Sequence, residues 1–183
     1  MSSIIAHIAS GGAVYFAQKR QKPRWLLPVL ILLAIVPDLD YLAFWFLHIN
    51  FEPRFSHSLA FCLSISTIAW LTARRPLPFM MFALASCSHL ILDFLVGVHP
   101  LPLFWPISPY EALSPVGLLP SAGELRLGNF YLWRNLSIES GMVFPVLGMM
   151  IALAQGQPLR PKRWLCLLAI ELACLVWSLS LNR

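Results

Sequence analysis

Asp38 and Asp40 stand in Val36-Pro37-Asp38-Leu39-Asp40-Tyr41, in the middle of an apolar stretch. His89 and Asp93 stand four apart in Ser88-His89-Leu90-Ile91-Leu92-Asp93. A histidine and an aspartate at i and i+4 stack on one helical face, which is ligand geometry for a metal ion. Carboxylates at i and i+2 diverge by about 200° on an unbroken helix, but Pro37 breaks the helix and lets both turn toward one cavity. His57, in Ser56-His57-Ser58, and His7 add two more imidazoles, and His99 and Glu139 follow farther along the chain. Imidazole and carboxylate without thiolate form a mixed nitrogen and oxygen set that suits zinc, manganese or iron. Singly, each member has an ordinary explanation: a hydrogen-bonded core histidine for His7, chance for the HxxxD spacing, an ion or proton pathway for Asp38 and Asp40. Their joint occurrence is what points to a metal site.

The surroundings make these residues informative. Only 11% of the 183 residues are charged, 58% belong to the AVILMFWYC set and mean hydropathy is +0.73. A water-soluble globule of this size could not cover its surface with so few polar residues. The chain therefore belongs in a membrane. Cys62, Cys87, Cys166 and Cys174 all sit in long apolar runs, so they read as small packers and not as a disulfide framework. The formal charge of +5 lies in short clusters between apolar segments, which argues against nucleic acid and for membrane topology. In a bilayer, Asp38 and Asp40 together would cost about 5–7 kcal/mol to insert, so they require partners.

Crossing the hydrocarbon as a helix takes about 20 apolar residues, and the sequence offers candidates near 3–18, 25–48, 56–73, 77–97, 138–155 and 164–181. The predicted fold is a single all-α domain over residues 1–183, a polytopic bundle of about six spans. A Pro-rich outer loop, 98–137, joins the fourth and fifth spans, and its Trp105, Tyr110, Tyr131 and Trp133 suit the headgroup level. The first span has its basic residues after it, so it reads as a helix of the mature protein and not as a signal peptide. Its Ser10-Gly11-Gly12-Ala13 run allows a close helix approach. Lys19, Arg20, Lys22, Arg24, Arg74, Arg75, Arg160, Lys162 and Arg163 fall on alternate connections, which makes those connections cytoplasmic. The opposite face receives Arg54, Arg126, Arg134 and Arg183, together with most of the acids, including Glu52, Glu111 and Glu124. Under that topology His7, Asp38, Asp40, His57, His89 and Asp93 all lie between mid-bilayer and the outer surface, with His99 and Glu139 just outside. His48 reads as interfacial, and Glu171, in the middle of the last span, as a hydrogen-bonding residue outside the cluster.

The ordered motifs His7, Pro37-Asp38-Leu39-Asp40, Arg54-Phe55-Ser56-His57-Ser58, Ser88-His89-Leu90-Ile91-Leu92-Asp93 and Leu103-Phe104-Trp105-Pro106 resemble the bacterial membrane-bound metal-dependent hydrolase family, which includes LexA-regulated inner-membrane members. More distantly, the order of ligand types is similar to that of the soluble, all-helical zinc-dependent phospholipase C and single-strand nuclease superfamily. The resemblance implies that His57, His89, Asp93 and one of Asp38 or Asp40 hold one metal, and that Asp93 bridges to a second that also takes His7. In the soluble superfamily a third metal uses a histidine placed as His99 is, an HxxxE pair and the N-terminal amine. Here Asn135 stands four residues before Glu139, and Met1 lies six residues before His7 with no cleavage site between. A dinuclear centre, with His99 and Glu139 at its mouth for substrate placement, is the expectation.

Together these readings describe a hydrolase of phosphoester bonds in the bacterial inner membrane, with its site facing the extracytoplasmic side. Its cofactor is a divalent metal, two zinc ions or else manganese or iron, and its partner is a phospholipid or lipid-linked phosphate. Asp38 or Asp40 is the candidate general base. One competing class is a transporter or ion-conducting protein, which would carry inverted repeats and polar residues on both sides of the midplane; the sequence has neither. Another is a non-catalytic envelope protein clamped by its metal.

Overall fold

A computed structural model describes residues 2–19, 21–49, 51–73, 76–121, 127–158 and 160–181. Met1, Arg20, Arg74, Arg75, Glu124, Arg126 and Arg183, used above, lie outside the described residues. The secondary structure there is helical: α1 (Ile4–Ala17), α2 (Leu26–Ile35), α3 (Asp40–Leu47), α4 (Leu59–Thr72), α5 (Phe79–Val96), α6 (Phe130–Ala154) and α7 (Pro161–Ser180). Three of these, α5, α6 and α7, are long and apolar enough to cross a membrane, and α1, Leu26–Leu39 and α4 are shorter apolar helices. The outward-facing apolar side chains of α7, among them Leu165, Leu172 and Val176, demand lipid around them.

The second expected span is delivered in pieces. After α2, the turn Val36–Leu39 is a 3-10 helix with Pro37 near its start, and α3 resumes at Asp40. Proline has no N–H to give to the ladder, so the break falls where the sequence puts the ring. Asp38 consequently sits on the tighter turn rather than on a regular helix. A second 3-10 turn, Phe55–His57, leads into α4, whose Ser58 N-cap accepts the Phe61 amide at 3.2 Å.

Two apolar clusters bracket the bundle along its length. Leu26, Leu30 and Leu33 of α2 pack on Met81, Phe82 and Ala85 of α5, flanked by Tyr15 and Ala73. Ala6, Leu92, Val96, Leu119 and Val143 join α1, α5, α6 and the long loop toward the other end. The neighbours of Ala6 and Leu92 in the chain are His7 and Asp93, so the same packing that builds the core sets the site. Gly11 allows α1 to approach α2, since a Cβ there would lie 2.7 Å from the Leu30 carbonyl oxygen and 2.8 Å from Ile31 Cα.

The described basic connections gather at one end of the bundle: Gln155 donates to the Phe16 carbonyl at 2.8 Å, and Lys19 approaches Gly156. The chemistry-bearing residues occupy the opposite end. Helix α6 begins at Phe130, earlier than apolarity predicts, because Asn129 caps it by accepting the Tyr131 amide at 2.9 Å and helix formation does not require apolar side chains. The loop before it is tied down at Leu101 and Ala112, which exchange backbone hydrogen bonds of 2.9 and 2.8 Å. Its Leu103 carbonyl accepts the Leu59 amide at 3.0 Å, which fixes the loop beside the turn carrying His57.

Candidate metal centre

Three elements place the four donors. Asp38 comes from the first 3-10 turn, His57 from the second, and His89 and Asp93 from adjacent turns of α5. One ligand atom from each lies within 4.8 Å of all the others. His57 Nε2 is 3.6 Å from Asp38 Oδ1 and 3.5 Å from Asp93 Oδ2; His89 Nε2 is 3.6 Å from each. The two Nε2 atoms are 3.3 Å apart. Five of the six edges among these atoms are thus 3.3–3.6 Å, and an ion centred in a tetrahedron of edge about 3.5 Å lies about 2.1 Å from every corner, the bond length of zinc to imidazole and carboxylate.

Protons can be assigned without seeing them. The Ala34 carbonyl can only accept, so His89 Nδ1, 2.8 Å away, carries the proton and donates it. Ala34 lies in the last turn of α2, where carbonyls lack helical partners. At His57, the Ser56 hydroxyl gives its one proton to Asp40 Oδ2 at 2.9 Å, so Nδ1 must be the donor to Ser56 Oγ at 3.0 Å. Arg54 Nη2, which can only donate, points at His57 Nε2 from 3.2 Å. Both Nε2 atoms are therefore unprotonated, and each carries the lone pair that an ion would need.

Asp38 Oδ1 and Asp93 Oδ2 are buried and make no hydrogen bond among the described residues. A buried polar atom without a partner costs about 1–3 kcal/mol, and more when charged. Two carboxylate oxygens facing two imidazole lone pairs call for a cation, and the donor set of two nitrogens and two oxygens fits a divalent metal.

A second position adjoins the first. The other oxygens of the same carboxylates face His7: its Nε2 is 3.6 Å from Asp38 Oδ2 and 3.7 Å from Asp93 Oδ1. The His7 ring stacks on that of His89 at 3.9 Å between centroids. Asp38 and Asp93 thus both span the two positions. Of the two candidate carboxylates of the Pro37 motif, the structure brings Asp38 to the centre.

Asp40 does something else, which corrects its expected place among the ligands and bases. Arg54 Nε and Nη2 hold its two oxygens at 2.8 Å each, and Ser56 adds a third bond. Its oxygens are occupied by that fork, and it acts on the centre through Ser56 and the His57 ring. Arg54 also donates to the Tyr41 hydroxyl at 3.1 Å and stacks over its ring. From sequence, Arg54 is an outer-face charge and, with Ser56, part of a motif; an arginine three residues before a ligand histidine was the available signal of its role.

Glu139 also departs from expectation. It is 1% exposed and does not line the mouth; its Oε1 accepts the Ser3 amide at 2.8 Å, while Oε2 is buried without a partner among the described residues. Helix α6, starting at Phe130, carries it into the protein rather than to the rim. Asn135 donates to the Ser121 carbonyl at 2.8 Å and accepts from Arg134, so it anchors the loop. Among the described residues, no group of three or more potential ligands includes His99 or Glu139. His48 is exposed at the end of α3 with a positive φ of 53°, away from the donors. Glu171 is half-buried on α7, and among the described residues it has no hydrogen-bond or ion-pair partner, so the bond expected for it is not made.

His99 does stand at the mouth. A cleft of about 1120 Å³ opens beside the centre, lined by Asp40, Tyr41, Arg54 and His99 and by apolar groups such as Phe44 and Trp105. Burial pushes the His99 imidazole below its ordinary value, and the Arg54 charge acts in the same direction. Both effects favour the neutral ring over the charged one.

No curated protein and no solved structure matches the chain. The family model described as YdjM inner membrane protein matches residues 1–182, and by that match the chain belongs to the YdjM inner membrane protein family.

Proposed function

We propose that this inner membrane protein is a metal-dependent hydrolase of phosphoester bonds, acting on a phospholipid or lipid-linked phosphate at the outer leaflet. The observation that carries the reading is the set of buried, unpaired carboxylate oxygens and imidazole lone pairs at close spacing, beside a cleft that is apolar on one side and on the other lined by Arg54 with the carboxylates Asp40, Glu52 and Glu111. His57, His89, Asp38 and Asp93 would hold one ion; His7 with the far oxygens of Asp38 and Asp93 would hold another. A bound pair supplies a water acidic enough to ionise near neutral pH and positive charge beside the attacked phosphoryl group.

The chain's own residues account for the rest. Asp38 is the more exposed carboxylate of the centre, its side chain 16% exposed against 2% for Asp93, so water would reach the ions on its side. Arg54, 27% exposed, reaches from the cleft to within 3.2 Å of a ligand nitrogen, where its charge complements an anionic headgroup. Phe44, Ile49, Phe51 and Trp105 offer the apolar wall that an acyl or prenyl chain would lie against. Basic connections gathered at the opposite end favour an orientation with this cleft outside the cytoplasm.

A panel of phosphomonoesters, phosphodiesters and lipid-linked phosphates, offered to purified protein in detergent, tests the reading. Turnover of amphiphilic members is expected, abolished by a chelator and restored by Zn²⁺ or Mn²⁺. Turnover that survives chelation, or metal-loaded protein that turns over none of the panel, would overturn it.

A further inference from the structure

Of the polar groups that approach this centre, the least expected come from the chain's start. Ser2 Oγ lies 2.8 Å from His7 Nε2 and 2.8 Å from Asp93 Oδ1, and the Ser2 amide donates to the same Asp93 oxygen at 2.8 Å. The next amide, of Ser3, donates to Glu139 Oε1. Two consecutive N–H groups of the segment before α1 are thus received by two buried carboxylates from different helices, α5 and α6. Ser2 and Ser3 are 4% and 7% exposed. Buried polar groups require partners, and these carboxylates supply them.

We propose that Ser2 is a ligand of the second ion, and that Glu139 is a positioning residue that holds Ser2 there. The proposal rests on the reading of the centre as a metal site and adds to it the identity of a donor and the class of ion. Ligand atoms around an ion with bonds of about 2.0–2.1 Å lie about 2.8–3.4 Å apart. Ser2 Oγ meets that spacing to both His7 Nε2 and Asp93 Oδ1, two atoms to which it is hydrogen-bonded and with which it would share the ion. With it, the second position presents one nitrogen and three oxygens, from His7, Asp38, Asp93 and Ser2, against two nitrogens and two oxygens at the first. A hydroxyl is a hard, neutral donor of the kind that binds Mg²⁺ and Mn²⁺. The two positions consequently differ in chemistry: the first suits Zn²⁺, and the second takes a harder, more readily exchanged ion.

Glu139 acts at one remove. Its carboxylate touches neither His7 nor the first four donors; it fixes the Ser3 amide, and through one peptide unit it fixes where the Ser2 hydroxyl can stand. An amide in its place still offers an oxygen to Ser3 N–H, whereas a methyl group does not.

Titrating Mn²⁺ into full-length protein carrying about one Zn²⁺ per chain, with detection by electron paramagnetic resonance and elemental analysis, separates the roles. Wild type is expected to add a Mn²⁺ ion, Ser2→Ala to weaken that binding at least about tenfold while keeping its Zn²⁺, and Ser2→Thr to restore it. Glu139→Ala is expected to copy Ser2→Ala, and Glu139→Gln to stay near wild type. Retained Zn²⁺ reports that each variant is folded at the first position. Equal Mn²⁺ affinity in wild type and Ser2→Ala overturns Ser2 as a ligand while leaving the metal centre standing. Wild type that binds neither ion overturns the centre itself, and this proposal with it.

Discussion

His89→Ala and Asp93→Ala are each expected to lower metal affinity by more than about a hundredfold, and phosphoester turnover with it. Replacement of groups that merely orient ligands already costs about ten- to a hundredfold. The two variants should not fail alike. His89 offers one atom to one position, its Nε2, so its loss leaves His7 and the far oxygens of Asp38 and Asp93 in place. Asp93 faces His57 and His89 with Oδ2 and His7 and Ser2 with Oδ1, so its removal empties both positions. Elemental analysis after dialysis should read one ion lost for His89→Ala and both for Asp93→Ala, with Glu171→Gln unchanged. Full metal occupancy in both ligand variants would sink the assignment.

Arg54→Leu is expected to destabilise the protein by about 2 kcal/mol, between the small effect of an exposed pair and the larger cost of stripping a fully buried charge. Its fork accounts for contacts to both oxygens of Asp40, whose side chain is only 9% exposed. Without it, Asp40 keeps the Ser56 hydroxyl but little else to offset its charge. Arg54→Lys retains the charge and loses the bidentate geometry, so it should recover only part of the stability. The double variant Arg54→Leu/Asp40→Leu removes both partners and should be more stable than Arg54→Leu alone, yet should still hold metal less tightly than wild type, because Ser56 no longer has a carboxylate to brace it against the His57 ring. Thermal unfolding in detergent and metal competition read the two effects separately. An Arg54→Leu protein as stable as wild type would contradict the structural role given to this pair.

Fold class was legible because the dominant signal is compositional: apolar runs of membrane length are visible without knowing what they pack against. Pro37 announced its break, since a missing N–H acts locally. The start of α6 was not visible, because the span criterion counts apolar residues and four of the five residues of Tyr131–Asn135 are polar or aromatic; only the Asn129 cap marks the boundary. Within the centre, spacing on one helix placed His89 and Asp93 together, and depth placed His57 and Asp38 near them. Which of Asp38 and Asp40 faces inward depends on the 3-10 turn and on Arg54, a contact across 14 residues that no periodicity encodes. Ser2 and Ser3 carry no pattern at all: they matter only because Asp93 and Glu139 receive their amides.

X-ray absorption at the metal edge tests most directly whether nitrogen and oxygen of these side chains hold a metal. On purified protein reconstituted with Zn²⁺, the prediction is a first shell of nitrogen and oxygen at about 2.0–2.2 Å with imidazole scattering beyond it, and that shell altered in His89→Ala. A sulfur scatterer at about 2.3 Å, or a zinc environment unchanged by His89→Ala, would contradict it.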